Sequence, residues 1–169
     1  MKLNDILENI NYFRSSIPVD VEGLARALGL KVEKQNLSDD ICGMIKRAKE
    51  GYIIVINQNH TITRQRFTIA HELGHFIYHR NKIGDGIVDN ALYRQTTYNG
   101  INNNEINARD EQQANNFAAN LLMPSFAIEK INKELGKVDP KILAEKLNVS
   151  IPAINIRLNN LGLDSPIKE

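Results

Sequence analysis

Apolar residues recur along this chain with two different periods, and their order lays out its elements before any chemistry is considered. Ile6, Leu7, Ile10 and Phe13 fall at helical spacing, with Asn4 placed to cap the first turn. A second helix opens at Asp20, carries the stripe Leu24, Ala27 and Leu28, and stops at Gly29. LKVEKQ then alternates as a strand. CGMIKRA and YIIVIN, joined by KEG, predict a hairpin whose stronger arm is the β-branched run 53–56. A long helix is expected over 64–80.

The segment 81–104, NKIGDGIVDNALYRQTTYNGINNN, is rich in Asn and Gly and holds no sustained period. It predicts a long surface loop, and loops of that length are usually tied to function or motion. Helical pattern resumes over 108–123, where Pro124 breaks it. A short helix ends at Gly136. Asp139-Pro140 pairs a cap with a first-turn proline and starts KILAEKLN. Ser150 and Pro152 start one more helix, closed near Gly162. Helices, a small sheet, then helices again make an α+β order without internal repeats.

Composition narrows the function classes. At 169 residues and 42% hydrophobic, the chain suffices for one compact domain, or one with a small appendage. Lys+Arg 21 against Asp+Glu 20 argues against a partner recognised mainly through its phosphates. Cys42 is the sole cysteine, so no internal disulfide forms, and within ICGMI it reads as a small apolar residue. The opening MKLNDILENINYFR lacks the apolar run and cleavage site of a signal peptide. No stretch approaches the roughly 18 apolar residues of a membrane span. The expectation is a cytoplasmic protein with no membrane partner.

The chemistry sits in RFTIAHELGHFIYH, residues 66–79. His71 and His75 are one helical turn apart, so two imidazole nitrogens point at one ion. Glu72 lies about a hundred degrees round the helix from His71, at the edge of such a site rather than on the metal. Two ligands and one base are what a metalloprotease needs. Phe67, Ala70, Gly74 and Tyr78 share the histidines' face. Gly74 costs the helix roughly 1 kcal/mol relative to alanine, which makes sense if something approaches closely there.

Catalytic zinc takes three protein ligands, so one is missing. His79 shares the face, but eight residues of helix from His71 to His79 rise about 12 Å. Those imidazoles do not converge on one ion, and His79 reads as a core residue or a support for a ligand. A carboxylate from DEQQANNFAANLLMP is the better choice. Glu111 has Ala114, Asn115, Ala118 and Leu122 on its side, and the two alanines allow close packing against the Gly74 region. Asp110 and Glu105 compete; Asp110 is expected to face away from the small-residue stripe, and Glu105 lies nearer the loop. As an ordinary first-turn acid, Glu111 would simply complement the helix dipole.

RQRFTIAHELGHFIYH, EQQANNFAANLLMP and LAEKLNVSIPAINIRLNNLGL, with PVDVEGLARALGL and YIIVIN before them, together resemble the ImmA/IrrE-type metallopeptidases of bacteria and their mobile elements. The resemblance covers nearly the whole chain. It implies a zincin-like domain over 1–138, with a small sheet packed on helices, followed by a helix-turn-helix-like tail over 139–169 on the same domain. It implies His71, His75 and Glu111 as metal ligands and Glu72 as the catalytic acid/base. Many relatives carry a glutamate where this chain has Gln113, which removes one rival to Glu111. The implied substrate is a helix-turn-helix repressor whose cleavage relieves repression. Histidine and carboxylate ligands suit zinc best, with manganese and iron as alternatives.

Several assignments stay open at this level. Tyr78, His79, Tyr93 and Tyr98 are candidates for the extra donor that an oxyanion needs. YIIVIN reads either as an edge that aligns a peptide or as a core strand. Arg64 and Arg66 are expected in surface or inter-helix ion pairs. The rival functions are a DNA-binding regulator and a metal-stabilised interaction module without turnover, for which Glu72 would have no use. Arg157 is the sole basic residue of the last helix, so strong nucleic-acid binding is not expected.

Overall fold

Polar side chains close the helix ends largely where the sequence breaks its apolar rhythm. The computed structural model describes residues 2–90, 97–98, 101–102 and 105–163. Asp20 Oδ1 accepts from Gly23 N–H at 2.8 Å and opens α2 (Val21–Ala27), which follows α1 (Leu3–Arg14). Gly29, at φ 81°, turns the chain into β1 (Leu30–Gln35). Within α2 the buried residues are Val21, Gly23, Leu24 and Ala25, so Ala25 rather than Ala27 completes the stripe.

β2 (Ile41–Arg47) and β3 (Tyr52–Asn57) form the expected antiparallel hairpin, and β1 adds to β3 in parallel. The fourth strand is β4 (Ile87–Asn90), antiparallel to β2, which gives the order β1-β3-β2-β4. β4 lies inside the segment expected to be a structureless loop, and for these residues pairing with β2 corrects that expectation. Residues 91–96, 99–100 and 103–104 of the same segment lie outside the described residues; β5 (Thr97–Tyr98) and β6 (Ile101–Asn102) pair with each other.

β3 is flanked on both sides, which rules out an edge role for YIIVIN. Its continuous apolar run reflects burial on both faces. Ile54 and Ile56 enter the main core, while Val55 joins Leu37, Ile41 and Met44 in a smaller cluster.

The helices are α3 (Ile62–Tyr78), α4 (Ala108–Leu122), α5 (Ser125–Leu135), α6 (Pro140–Leu147) and α7 (Ile151–Asn160), with a 3-10 turn over Arg80–Lys82. Leu143, Leu147, Ile154 and Leu158 of the last two helices belong to the same core as Leu24, Ile54, Leu73 and Leu121. Arg66 reinforces that junction: it donates to Asn148 O at 3.2 Å and to Val19 O at 2.9 Å. It thus bonds backbone carbonyls rather than forming the expected ion pair. Arg64 reaches Cys42 Sγ at 3.2 Å. The architecture is α+β, a small mixed sheet with helices.

Candidate metal centre

A glycine lets the helix that carries the histidines lie close on the sheet, and two amides fix the chain that leads into it. A methyl group on Gly43 of β2 would lie 2.6 Å from Thr68 Cγ2 and 2.5 Å from Val55 O, so only glycine lets α3 settle this close. Asn57, fully buried at the end of β3, donates to Ser38 O and Ile41 O at 3.0 Å each. Gln65 Nε2 donates to His60 O at 2.7 Å and Gln58 O at 3.2 Å, fixing the first turn of α3 against the chain that precedes it.

α4 crosses α3 at Gly74. A Cβ there would meet Ala114 Cα at 2.9 Å and Ala114 O at 3.2 Å, backbone atoms that do not rotate away. The small residues thus explain the close approach that brings a carboxylate over the histidines. Gly74→Ala should destabilise the protein by about 1–3 kcal/mol through this overpacking, against a helix-propensity gain of only about 1 kcal/mol. It should also move α4, and with it Glu111, outward from the histidines, which would weaken any metal site formed there. Denaturant unfolding and a zinc titration check both, and a variant that is stabilised with unchanged affinity would show that the crossing does not depend on Gly74.

At the crossing, His71, His75 and Glu111 bring one donor atom each within 4.8 Å of one another. His71 Nε2 and His75 Nε2 are 3.0 Å apart, and the Glu111 oxygens lie 3.3 Å from each. Ligands about 2.05 Å from a tetrahedral ion are about 3.3 Å from one another, so the spacing suits a single small cation. Asn115 Oδ1 accepts from His71 Nδ1–H at 2.9 Å, which leaves the His71 Nε2 lone pair facing the cluster. Two imidazole lone pairs and a carboxylate this close repel unless a metal ion or a proton lies among them. The donor set therefore fits a metal ion.

Burial pushes the His75 imidazole below its usual pKa and outweighs the attraction of Glu111, so His75 is neutral at pH 7. Burial alone would raise Glu111, but when His71 and His75 carry protons on Nε2 in place of a metal ion, their hydrogen bonds overcome it and hold the carboxyl at about 2. A neutral His75 and an ionised Glu111 are the states that bind metal. Glu72, the residue after His71, is completely buried in α3.

His79 is the C-cap of α3 at φ −124°, so the helix ends one residue before it and its ring is not stacked two turns above His71. His75 Nδ1 and His79 Nδ1 are 3.1 Å apart, and His79 Nε2 faces Gln113 Oε1 at 3.2 Å. With both nitrogens engaged, His79 is no oxyanion donor. Tyr78 is half exposed, its ring edge-on to Phe117 at 5.8 Å. Tyr93 lies outside the described residues, and Tyr98 is described only through its backbone.

Asp110 departs from the orientation its sequence position suggests. It precedes Ala114 by four residues and so shares its face, buried rather than turned away. Its Oδ1 lies 3.4 Å from His79 Nε2 and its Oδ2 accepts from Lys82 Nζ at 2.8 Å. Glu105 is exposed before α4 begins. The bonds of Asn115 and Gln113 are not foreseen from the sequence; the usable signal is that Asn115 sits one turn after Glu111 on the inter-helix face.

The family model described as the IrrE N-terminal-like domain, Peptidase_M78, matches residues 25–159, a span that includes α3, α4 and the last two helices. A comparison with curated proteins found no match. Among solved structures, a Mycobacterium tuberculosis transcriptional regulator is similar at 16% identity and a TM-score of 0.59, over 94% of this chain and 47% of that one. At that identity the likeness is one of fold, and the present chain spans about half the length of that protein (47%). The match to residues 25–159 covers most of the sequence, and the chain belongs to the Peptidase_M78 family of IrrE N-terminal-like domains.

Proposed function

We propose that the protein is a zinc-dependent endopeptidase with a zincin-like domain over 1–138 and a helix-turn-helix-like tail over 139–169 packed on it. The observation that carries this reading is the convergence of His71, His75 and Glu111 from two helices, in a chain of a peptidase family, with Glu72 beside the first histidine. His71 and His75 would hold the ion through Nε2 and Glu111 through its carboxylate. A bound ion would supply Lewis-acid chemistry, polarisation of the scissile carbonyl and activation of a water at neutral pH. Glu72 takes the water's proton and passes it to the departing amine. Manganese or iron would suit the same ligands less well.

The substrate is a protein, and we assign it as a helix-turn-helix repressor whose cleavage releases its genes; this part rests on the family resemblance. A repressor substrate in turn implies a cytoplasmic setting. No helix among the described residues is long and apolar enough to cross a membrane. The rival regulator reading is weakened by Arg157. Its Nε donates to Met123 O at 3.0 Å and its Nη2 to Asn120 Oδ1 at 2.8 Å, so the sole basic side chain of α7 is turned to its own fold.

The test is metal analysis of the purified protein paired with a cleavage assay on a helix-turn-helix repressor. One zinc per chain and cleavage abolished by a chelator, then restored by zinc, are the expected results. Tight zinc without cleavage of any repressor would favour the interaction-module reading. Absence of zinc, manganese and iron binding at micromolar concentrations would end the metallopeptidase reading.

A further inference from the structure

A chain of polar groups runs behind His75, from its Nδ1 through His79 to Gln113, Asp110 and Lys82. Asp110 is a carboxylate salt-bridged to Lys82 at 2.8 Å, and a carboxylate only accepts hydrogen bonds. His79 Nε2, 3.4 Å from Asp110 Oδ1 and 3.2 Å from Gln113 Oε1, faces two acceptors and must carry the hydrogen. When His75 offers the Nε2 lone pair to an ion, the atom 3.3 Å from Glu111 and 3.0 Å from His71 Nε2, its hydrogen sits on Nδ1. The group 3.1 Å from that Nδ1 is His79 Nδ1, which accepts the bond when the His79 hydrogen is on Nε2, facing Gln113 and Asp110. The reverse tautomer would aim an N–H into the cluster and block an ion.

We infer that His79 is a positioning residue that sets the tautomer and ring orientation of His75, itself oriented by Gln113 and by the Lys82-anchored Asp110. The inference rests on the reading of His71, His75 and Glu111 as the metal-holding set. Three elements contribute: the end of α3, the following 3-10 turn and the first turns of α4. Asn115 does the equivalent service for His71 from α4, so each histidine has its own partner on Nδ1. Metal-bound histidines whose second nitrogen loses such a partner typically lose 10–100-fold in affinity.

Two substitutions separate this role from packing. Leucine nearly matches the volume of histidine but offers His75 no acceptor. Asparagine is smaller, yet its Oδ1 sits where the His79 Nδ1 does. Packing alone ranks Leu above Asn; positioning ranks Asn above Leu. Zinc affinity by chelator competition should fall about 10–100-fold in His79→Leu and stay within a few-fold of wild type in His79→Asn. Imidazole nitrogen NMR of the metal-free wild type should show His75 protonated on Nδ1, a readout that needs no variant. If wild type binds no zinc, the metal-site reading fails with it. If wild type binds and His79→Leu binds equally well, or both variants lose equally, or His75 is protonated on Nε2, the inference alone is overturned.

Discussion

Glu72→Gln should retain one zinc per chain and lose at least about two orders of magnitude in turnover. Glutamine keeps the shape of the side chain in a position with no solvent exposure, so the fold has no new volume to accommodate. It cannot take up a proton as a carboxylate does. A positioned general base contributes typically 10²–10⁴-fold, or about 3–5 kcal/mol of barrier. The donors within 4.8 Å of one another come from His71, His75 and Glu111, and Glu72 adds none to them. Metal affinity should accordingly change little while kcat collapses. Near-normal cleavage by this variant would sink the mechanism, and loss of zinc would instead make Glu72 a ligand.

The split between metal retention and turnover also separates the enzyme from a module that merely uses metal to hold its shape. A structural site is closed, with all ligands from protein, whereas three protein donors leave room for a water. Only the enzyme reading calls for a base at the residue that follows the first histidine. The same experiment therefore bears on function as well as on one residue.

How much of this is legible in the sequence depends on whether the signal is local. The α3 motif is legible because His71 and His75 face together through helix geometry alone. Gly74, Ala114 and Ala118 are legible as a close crossing because small residues facing each other on two helices let the backbones touch. β4 is not legible: four residues in an Asn- and Gly-rich segment become a strand only by pairing with β2. Asp110 is misleading because an acid in a first turn ordinarily faces solvent. Its spacing of four from Ala114 already puts it on the inner face, and only the fold supplies His79 and Lys82 as partners. In α7, Ile151, Ile154, Ile156 and Leu158 are apolar on several sides, yet only Ile154 and Leu158 are buried while Ile156 is 62% exposed. Apolar runs without a clean period do not say which members reach the core.

Glu111→Ala should strip the ion, with zinc affinity falling more than about 100-fold, beyond what loss of a supporting partner costs. In the proposed site the carboxylate is the third donor, and its charge offsets that of an ion held by two imidazoles 3.0 Å apart. Its pKa of about 2 lies below its ordinary value of 4.5, so the carboxylate's favourable contribution is present above pH 4.5 and lost as pH falls towards 2. At neutral pH the group is therefore ionised, and the deficit of the variant should not depend on its own titration. The control series fixes the assignment. Glu105→Ala, at an exposed position ahead of α4, should bind zinc as wild type does. Asp110→Ala should fall between the two, because it touches His79 and not the ion's cluster. Zinc titrations on the three variants give the order directly. If Asp110→Ala loses the ion as completely as Glu111→Ala, the third ligand has been misassigned and the carboxylate one residue earlier takes its place.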